Sequence, residues 1–374
     1  MAHLAIKGLS KKYGKKIGID GIDLDIADGE FFVILGPSGA GKTTTLKSVA
    51  GLVDVDEGAV HIAGTDMTSV EPYHRNVAMA FESYALYPQK TVSQNLASPL
   101  KSGRTGKYSE AEQTARIAAV TKTLGIDHLL QRFPRELSNG QRQRVALGRV
   151  LVRPADVYLL DEPLSHLDAK LRASMRVELR QLGEMSNTTT VYVTHDYQEA
   201  LALGDRIAIL REGRVVQVDT PENIWRAPAD TFVAKALGQP EINLYDATVD
   251  DGLSRVLGSS LDIPVPRKLG LSDGDSVRIG IRPCDVEVLE RAEPGKLSFD
   301  GTVVLAERLG RDVEVSVDLG GTTLIALSKG GRHITEGARV TVSVDASDIH
   351  LFAGVDGRSD SETKRLGAAD AKEQ

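Results

Sequence analysis

Residues 36–44 have the types and spacing needed to hold a chain of phosphate groups. They fit the pattern G-x-x-x-x-G-K-[ST] and are Gly36, Pro37, Ser38, Gly39, Ala40, Gly41, Lys42, Thr43 and Thr44. The glycines let successive backbone N–H groups point into one concavity, in front of the positive end of the following helix. Lys42 is expected to reach the β- and γ-phosphates, and the Thr43 hydroxyl to coordinate Mg²⁺. The segment therefore predicts binding of a nucleoside triphosphate.

Two acidic residues, Asp161 and Glu162, directly follow an apolar run at residues 157–160. A buried strand carries its last side chains to the edge of the sheet where nucleotides bind in open α/β folds. We expect Asp161 to hold Mg²⁺, directly or through water, and Glu162 to act as the general base that polarises the attacking water. On their own these acids fit a solvated strand end equally well, so the assignment depends on the phosphate-binding segment.

Ser138 is placed to cap a helix over residues 139–152. A capped helix N-terminus attracts anionic phosphate because its first N–H groups are unpaired. Without the other motifs, the same residues would describe only a well-capped helix with a basic first turn.

These motifs must be positioned by strands that alternate with helices, which is typical of an α/β fold with a mainly parallel sheet. The predicted strands cover residues 31–35, 77–81, 157–160, 190–194 and 206–210, and the predicted helices cover residues 42–50, 109–124, 139–152, 169–185 and 197–203. We place this first domain at residues 1–238, with an inserted helical subdomain at about 83–153.

The chain after residue 239 changes to short β-like runs separated by turn signals, which predicts a small all-β barrel or sandwich over residues 239–353. Its predicted strands cover residues 277–281, 286–289, 301–305, 313–317, 322–327, 340–344 and 349–352. Residues 354–374 are almost all polar or small, so we predict a disordered tail.

Composition excludes several classes of protein. The 374 residues carry a net charge of −7, which argues against a bulk attraction to nucleic acid or anionic lipid. Cys284 is the only cysteine, so the chain can form neither an internal disulfide nor a cysteine-based zinc site. The sequence shows no run of 18 apolar residues and no signal-peptide pattern at its start, so we expect a cytoplasmic protein.

Taken together, the motifs closely resemble those of ATP-binding-cassette (ABC) ATPases. Residues 137–141, Leu-Ser-Asn-Gly-Gln, resemble the signature Leu-Ser-Gly-Gly-Gln, with Asn139 in place of glycine. The resemblance implies that ATP is the nucleotide. It also implies a homodimer in which one protomer completes the γ-phosphate site of the other with four signature residues, namely Ser138, Asn139, Gly140 and Gln141.

The resemblance extends to three further positions. Residues 165–168 match the D-loop, which ends at Asp168, and His195 matches the switch histidine that contacts the γ-phosphate and joins Glu162 and Lys42 as a catalytic residue. Tyr13 matches the aromatic residue that stacks on adenine. A lone histidine at a strand end is otherwise more often structural.

Glu82 stands where the family's Q-loop carries glutamine. A carboxylate binds a hard cation better than an amide does, so we expect Glu82 to join Thr43 and Asp161 around Mg²⁺. Its negative charge would also weaken ATP binding unless the metal offsets it.

The order of the parts resembles one subfamily, the ATPase subunits of carbohydrate importers of the maltose and glycerol-3-phosphate type. Residues 280–283, Gly-Ile-Arg-Pro, and residues 306–310 match elements of its accessory OB-like (TOBE-type) domain. This implies a P-loop ABC domain followed by an all-β domain, and ATP hydrolysis that powers uptake of a sugar or sugar-like solute.

The resemblance also implies the partners: two transmembrane permease subunits and, indirectly, a solute-binding protein. We expect no nucleic-acid partner, and a peripheral position on the inner face of the membrane through the permease alone. The β-domain could bind a regulator or extend the dimer interface.

Three alternatives remain open at this point. The chain could be a soluble ABC ATPase that acts on nucleic acid or the ribosome, although it lacks a second cassette and heptad repeats. It could be an importer ATPase for a non-sugar solute such as a polyamine or glycerol phosphate. It could also phosphorylate a small molecule, in which case residues 137–141 and His195 would have no role.

Overall fold

The computed structural model describes residues 2–81, 83–101, 108–165, 167–186, 188–256, 259–330, 333–354 and 362–370. The chain forms two compact units, residues 1–221 and 222–374. In the described ranges no helix is both long and apolar enough to cross a membrane.

The first unit contains the predicted α/β core. Its strands are β1 (Leu4–Tyr13), β2 (Lys16–Ile26), β3 (Phe31–Leu35), β4 (Glu57–Ile62), β5 (Thr65–Asp66), β6 (Val77–Ala80), β7 (Val157–Asp161), β8 (Thr189–Thr194), β9 (Arg206–Arg211) and β10 (Arg214–Asp219). Its helices are α1 (Lys42–Ala50), α2 (Val92–Lys101), α3 (Glu110–Thr123), α4 (Asn139–Leu151), α5 (Ala169–Ser186) and α6 (Tyr197–Leu203). The five predicted strands and five predicted helices of this core are confirmed to within one or two residues.

Six strands form the central sheet in the order β10-β9-β3-β8-β7-β6. The strands β9, β3, β8, β7 and β6 run parallel, and β10 pairs with β9 in the antiparallel sense. Every residue of β3, β7 and β8 is buried, which explains why these strands are rich in apolar, aromatic and β-branched residues and lack a polar face. Because β3, β8 and β7 are neighbours, the segments that follow them meet at one edge of the sheet.

A second sheet, in the order β2-β1-β4-β5, is antiparallel and was not predicted from the sequence. Its strands β1 and β2 are joined by a tight hairpin in which Tyr13 pairs with Lys16. The pairing of β1 with β2 contains register shifts, which interrupt the alternation of polar and apolar residues that identifies a strand.

Helices α2, α3 and α4 lie between β6 and β7 in the chain, as predicted for the inserted segment. Ser109 and Glu112 form a capping box at the start of α3. A Cβ atom at Gly148 would lie 3.0 Å from Leu96 and 3.2 Å from Leu124, so glycine lets α4 pack closely on its neighbours.

The second unit is mainly antiparallel β-structure. It contains α7 (Pro221–Arg226), α8 (Thr231–Ala236), β11 (Asn243–Asp250), β12 (Leu253–Arg255), β13 (Asp262–Pro264), β14 (Ser276–Ile281), β15 (Glu287–Leu289), β16 (Leu297–Leu309), β17 (Asp312–Asp318), β18 (Thr323–Ser328), β19 (Arg339–Val344), β20 (Ile349–Ala353) and β21 (Arg365–Ala368). The strand orders of its two sheets are β13-β12-β11-β14-β20-β21 and β15-β19-β16-β17-β18. All seven predicted strands of this region are present.

The boundary between the two units differs from the predicted one. The helices α7 and α8 belong to the second unit rather than to a first domain ending at residue 238. The buried Arg282 explains this grouping, because its guanidinium donates to the carbonyls of Trp225, Ala234 and Leu237.

The prediction of a disordered tail was wrong for residues 362–370. Strand β21 pairs with β20, and the backbone N–H of Arg365 donates to the carbonyl of Ala229. The segment is short of large apolar side chains, but its backbone hydrogen bonds are satisfied by distant residues that composition does not reveal. Residues 355–361 and 371–374 of the predicted tail lie outside the described residues.

Candidate nucleotide-binding and hydrolysis site

The phosphate-binding segment joins the buried strand β3 to α1. Gly39 and Gly41 have φ angles of 82° and 104°, in the left-handed region that favours glycine. A Cβ atom at Gly41 would lie 2.6 Å from the carbonyl oxygen of Gly18, so no side chain fits there. The first N–H groups of a helix have no acceptor inside the helix, and at the start of α1 no cap side chain accepts from them either. These N–H groups are therefore available to bind phosphate oxygens.

Lys42 is 5% exposed and its ammonium group is held in place by the loop itself. The Nζ atom donates to the carbonyls of Gly36, at 2.8 Å, and Pro37, at 3.1 Å. It also lies 3.5 Å from Oε1 of Glu162. The loop thus carries a fixed positive charge next to the predicted general base.

Thr43 and Asp161, the two predicted metal ligands in the described part of the site, are in direct contact. The Thr43 hydroxyl donates to Oδ1 of Asp161 at 3.0 Å. Asp161 is the last residue of β7 and is 4% exposed. A hydroxyl and a carboxylate oxygen are the hard ligands that suit Mg²⁺, which binds through few protein ligands and keeps bound waters and phosphate oxygens. No cluster of three or more acidic, histidine or cysteine side chains suited to a metal occurs in the described residues.

Glu162 and His195 form a hydrogen-bonded pair. The distance between His195 Nδ1 and Glu162 Oε2 is 2.9 Å, and the histidine ring is more than half exposed. Glu162 has a φ of 46°, a conformation uncommon for a side-chain-bearing residue, and its N–H donates to the carbonyl of Val193 in the neighbouring strand. This strained turn at the end of β7 directs the carboxylate towards both Lys42 and His195.

Tyr13 lies in the same cavity as the phosphate-binding segment. The cavity has a volume of about 510 Å³ and is lined by Tyr13, Lys16, Ile17, Gly18, Ser38, Gly39, Gly41, Lys42, Thr43, Thr44 and Glu162. Tyr13 is 47% exposed, which leaves a ring face free for a planar ligand. A Cβ atom at Gly18 would lie 2.9 Å from the ring, so this glycine makes room for Tyr13.

The signature residues have the predicted local structure but do not line this cavity. Ser138 caps α4, and its side chain accepts from the N–H of Gln141 while the Gln141 side chain accepts from the N–H of Ser138. Asn139 accepts a short hydrogen bond from Arg142, and both Ser138 and Asn139 are exposed. A Cβ atom at Gly140 would lie 3.1 Å from Leu167, so a larger residue would crowd the loop.

Asp168 is exposed and accepts from the N–H of Leu171 in the first turn of α5. Glu82, the third predicted metal ligand, lies outside the described residues. Its neighbour Tyr84 is described and has a φ of 61°. Burial raises the pKa of the Tyr84 hydroxyl.

Several residues that contact the segments next to Asp168 and His195 were not predicted from the sequence. Arg172 donates to Asp196, at 3.1 Å, and to the carbonyl of Leu167, at 3.2 Å. The buried Glu199 accepts from Tyr192 at 2.8 Å and from Thr194 at 2.7 Å. Burial raises the pKa of the Glu199 carboxyl above its usual value, even though these hydrogen bonds oppose the shift. The only sequence signal was their nearness in the chain to Asp168 and His195.

Comparison with known families supports this geometry. Residues 19–165 match the ABC transporter family, and residues 279–352 match the TOBE domain family.

Several proteins are similar over almost the whole chain. The sn-glycerol-3-phosphate import ATP-binding protein UgpC of Chromobacterium violaceum is 41% identical, over 98% of this chain and 96% of its own length. The xylose/arabinose import ATP-binding protein XacK of Haloferax volcanii is 42% identical, over 96% and 95%. The trehalose/maltose import ATP-binding protein MalK of Thermococcus litoralis is 40% identical, over 96% and 100%.

Two solved structures of the cassette MJ0796 also resemble part of the chain. The first, described as a dimeric bacterial ABC transporter cassette, is 30% identical with a TM-score of 0.55, over 58% of this chain and 98% of its own. The second, a dimeric post-hydrolysis state bound to ADP and Pi, has a TM-score of 0.54 with the same identity and coverage. The near-full-length similarity and the geometry of the site together show that this chain is an ATPase and belongs to the ABC transporter family, in the group whose members carry a TOBE domain.

Proposed function

We propose that this chain is the ATP-hydrolysing subunit of an ABC importer and powers uptake of a sugar or sugar-like solute. The observation that carries the proposal is the meeting of the phosphate-binding loop, Glu162 and His195 at one edge of the sheet. The names of the relatives at 40–42% identity, which are import proteins for glycerol phosphate, pentoses and disaccharides, support the class of cargo.

Different residues of the site bind ATP and take part in its hydrolysis. Tyr13 stacks on the adenine ring, and the N–H groups at the start of α1 bind the phosphates together with Lys42. Glu162 accepts a proton from the attacking water, and His195, which contacts Glu162, holds the γ-phosphate end of the site. These assignments are supported by the cavity, which Tyr13, Lys42 and Glu162 line, and by the contact of His195 with Glu162.

Thr43 and Asp161 are the residues that would hold Mg²⁺. When bound, the ion neutralises the charge that develops on the phosphate oxygens. Asp161 supplies a carboxylate that the end of β7 fixes, and the Thr43 hydroxyl is already directed at it. Glu82 stays a predicted third ligand.

The exposed signature residues support a homodimer. Ser138 and Asn139 face solvent at the start of α4, and their helix end does not line the cavity of their own chain. We propose that Ser138, Asn139, Gly140 and Gln141 complete the γ-phosphate site of a second copy, with Asp168 beside them. Two equivalent composite sites then follow from twofold symmetry. The dimeric solved cassettes support this arrangement.

The partners proposed are two transmembrane permease subunits and, through them, a solute-binding protein. The chain would lie on the cytoplasmic face of the membrane and touch it only through the permease. ATP-driven closure of the dimer would move the permease subunits, and hydrolysis would reverse the movement. Nucleic acid is not a proposed partner, since the net charge is −7.

The Glu162→Gln variant tests the assignment of the general base. Glutamine keeps the size of the side chain and a hydrogen-bond acceptor, but it cannot take up the proton. We expect kcat for ATP hydrolysis to fall about 10²- to 10⁴-fold, with the ATP-bound dimer accumulating in size-exclusion chromatography. The control is Glu110→Gln, the same change on the exposed first turn of α3.

Hydrolysis at the normal rate by Glu162→Gln would overturn the assignment of the base. A monomer at saturating Mg-ATP in the same variant would overturn the composite site. Stimulation of hydrolysis by reconstituted permease and a panel of sugars and polyamines would identify the class of cargo. A labelled acceptor molecule in place of free phosphate would instead indicate a phosphotransferase.

A further inference from the structure

The guanidinium of Arg172 joins two loops that carry the chemistry of the site. Arg172 lies in the first turn of α5, directly after the segment that follows Glu162. One of its N–H groups donates to the carbonyl of Leu167 at 3.2 Å, and another to Oδ2 of Asp196 at 3.1 Å. Leu167 precedes Asp168, and Asp196 follows His195 directly.

Hydrogen bonds connect each of the two loops that Arg172 contacts to a residue with a proposed catalytic role. On the first side, the Ser165 hydroxyl donates to the carbonyl of Glu162 at 3.0 Å, and the N–H of Leu167 donates to the carbonyl of Leu164. Hydrogen bonds therefore link Ser165 to Glu162, and Leu167, whose carbonyl Arg172 contacts, to Leu164.

On the second side, Asp196 caps α6 by accepting from the N–H groups of Gln198 and Glu199. The N–H of Asp196 donates to the Thr194 hydroxyl at 3.0 Å, and the Thr194 hydroxyl donates to Glu199. Arg172 Nε lies 3.7 Å from the Glu199 carboxylate. The backbone on both sides of His195 is thus fixed to groups that Arg172 contacts.

We propose that Arg172 is a positioning residue that sets the distance between Glu162 and His195 and couples that pair to the Asp168 loop. Within the described residues, its guanidinium contacts Leu167, Asp196 and Glu199, none of which is a proposed ATP-binding or catalytic residue, so it acts through Leu167 and Asp196. This inference rests on the proposed roles of Glu162 and His195.

Arginine suits this role because of its shape. A guanidinium presents N–H donors in a rigid planar fork and can hold a carbonyl and a carboxylate in fixed directions at the same time. A lysine ammonium keeps the charge but is a point donor on a flexible stem, so it cannot fix both loops. A displacement of about 1 Å between catalytic groups is enough to lower the rate about 10²-fold.

The first test compares Arg172→Lys with Arg180→Lys in the purified full chain. Arg180 is a matched control on the same helix, since it also contacts a carbonyl, that of Leu203 at 2.7 Å, and a carboxylate, that of Asp205 at 2.9 Å. We expect Arg172→Lys to lower kcat about 10- to 100-fold while KM for ATP changes less than about twofold. Arg180→Lys should leave kcat within about twofold.

A thermal unfolding midpoint is measured for both variants, so that a loss of activity caused by instability is recognised. Equal shifts of the midpoint with a loss of kcat in Arg172→Lys alone support the positioning role. Equal kcat values in the two variants, or a change confined to KM, would overturn it.

The second test is a double-mutant cycle with Asp196→Asn, which keeps a residue able to cap α6. If Arg172 acts through Asp196, the two losses should not add: kcat of the double variant should lie within about twofold of kcat of the slower single variant. Multiplicative losses would show independent action and contradict the inference. Glu162→Gln, measured alongside, separates the two proposals: if it is inactive while Arg172→Lys resembles Arg180→Lys, only this inference fails.

Discussion

His350 makes the second unit sensitive to acid. The side chain is 3% exposed on β20, next to the ring of Phe352. Burial, together with the positive charges of Arg282 and Arg365, lowers the pKa of His350 from 6.5 to about 3. The folded unit therefore keeps a neutral imidazole where the unfolded chain binds a proton.

The sign and size of the effect follow from that difference in pKa. The contribution of His350 to the free energy of unfolding is fully present above the unfolded pKa of 6.5. It is lost as the pH falls towards the folded pKa of about 3. At about pH 5 the unfolded histidine is almost fully protonated, which costs the folded state about 2 kcal/mol relative to about pH 8. The His350→Gln variant removes this titration.

Denaturant unfolding of the second unit measures the effect through Trp225, the only tryptophan, which stacks on Arg282. The fall in unfolding free energy between about pH 8 and pH 5 should be about 2 kcal/mol smaller in His350→Gln than in the unsubstituted chain. His333→Gln, an exposed position in the same unit, is the control and should retain the full fall.

An equal fall in His350→Gln and in the unsubstituted chain would refute the reasoning. That result would mean that the imidazole gains its proton in the folded unit as easily as in the unfolded chain. A lower stability of His350→Gln at every pH would not affect this conclusion, because the test compares only the change in unfolding free energy between the two pH values.

Two further predictions concern backbone and buried charge. Gly41→Ala should abolish ATP binding, measured with a fluorescent nucleotide. The reason is that Gly41 has a φ of 104° and that a Cβ atom there would lie 2.6 Å from the Gly18 carbonyl oxygen. An affinity within about twofold of that of the unsubstituted chain would contradict this. Arg282→Met should destabilise the second unit by about 3 kcal/mol in circular-dichroism unfolding, since three carbonyls, two of them in buried hydrogen bonds, lose this donor. Arg255→Met, which breaks the exposed ion pairs with Asp250 and Asp262 in the same unit, is the control and should cost about 1 kcal/mol or less.

The sequence alone predicted the parts of the site that depend on local spacing. Residues 36–44 identified the phosphate-binding loop because each position has a fixed backbone or charge requirement within nine residues. The buried strands β3, β7 and β8 were predicted to within one residue because both of their faces are covered, so that their residues are mostly apolar, aromatic or β-branched.

Elements that depend on distant partners were missed. The strands β1 and β2 are broken by register shifts, and β21 is held by backbone bonds to β20 and to residues near Ala229. Neither feature leaves a periodic pattern in the sequence. For the same reason α7 and α8 were placed in the first domain, although the buried Arg282 binds their carbonyls.

The sequence predicted which groups take part in the proposed chemistry, because residue type and short-range spacing identify the loop, the acids and the histidine. Only the tertiary structure decided that Glu162 lies 2.9 Å from His195 and 3.5 Å from Lys42, and that Arg172 holds the loops behind them. These distances are set by the order of β3, β8 and β7 in the sheet. Strand order is a property of long-range pairing, which no local pattern of residues encodes.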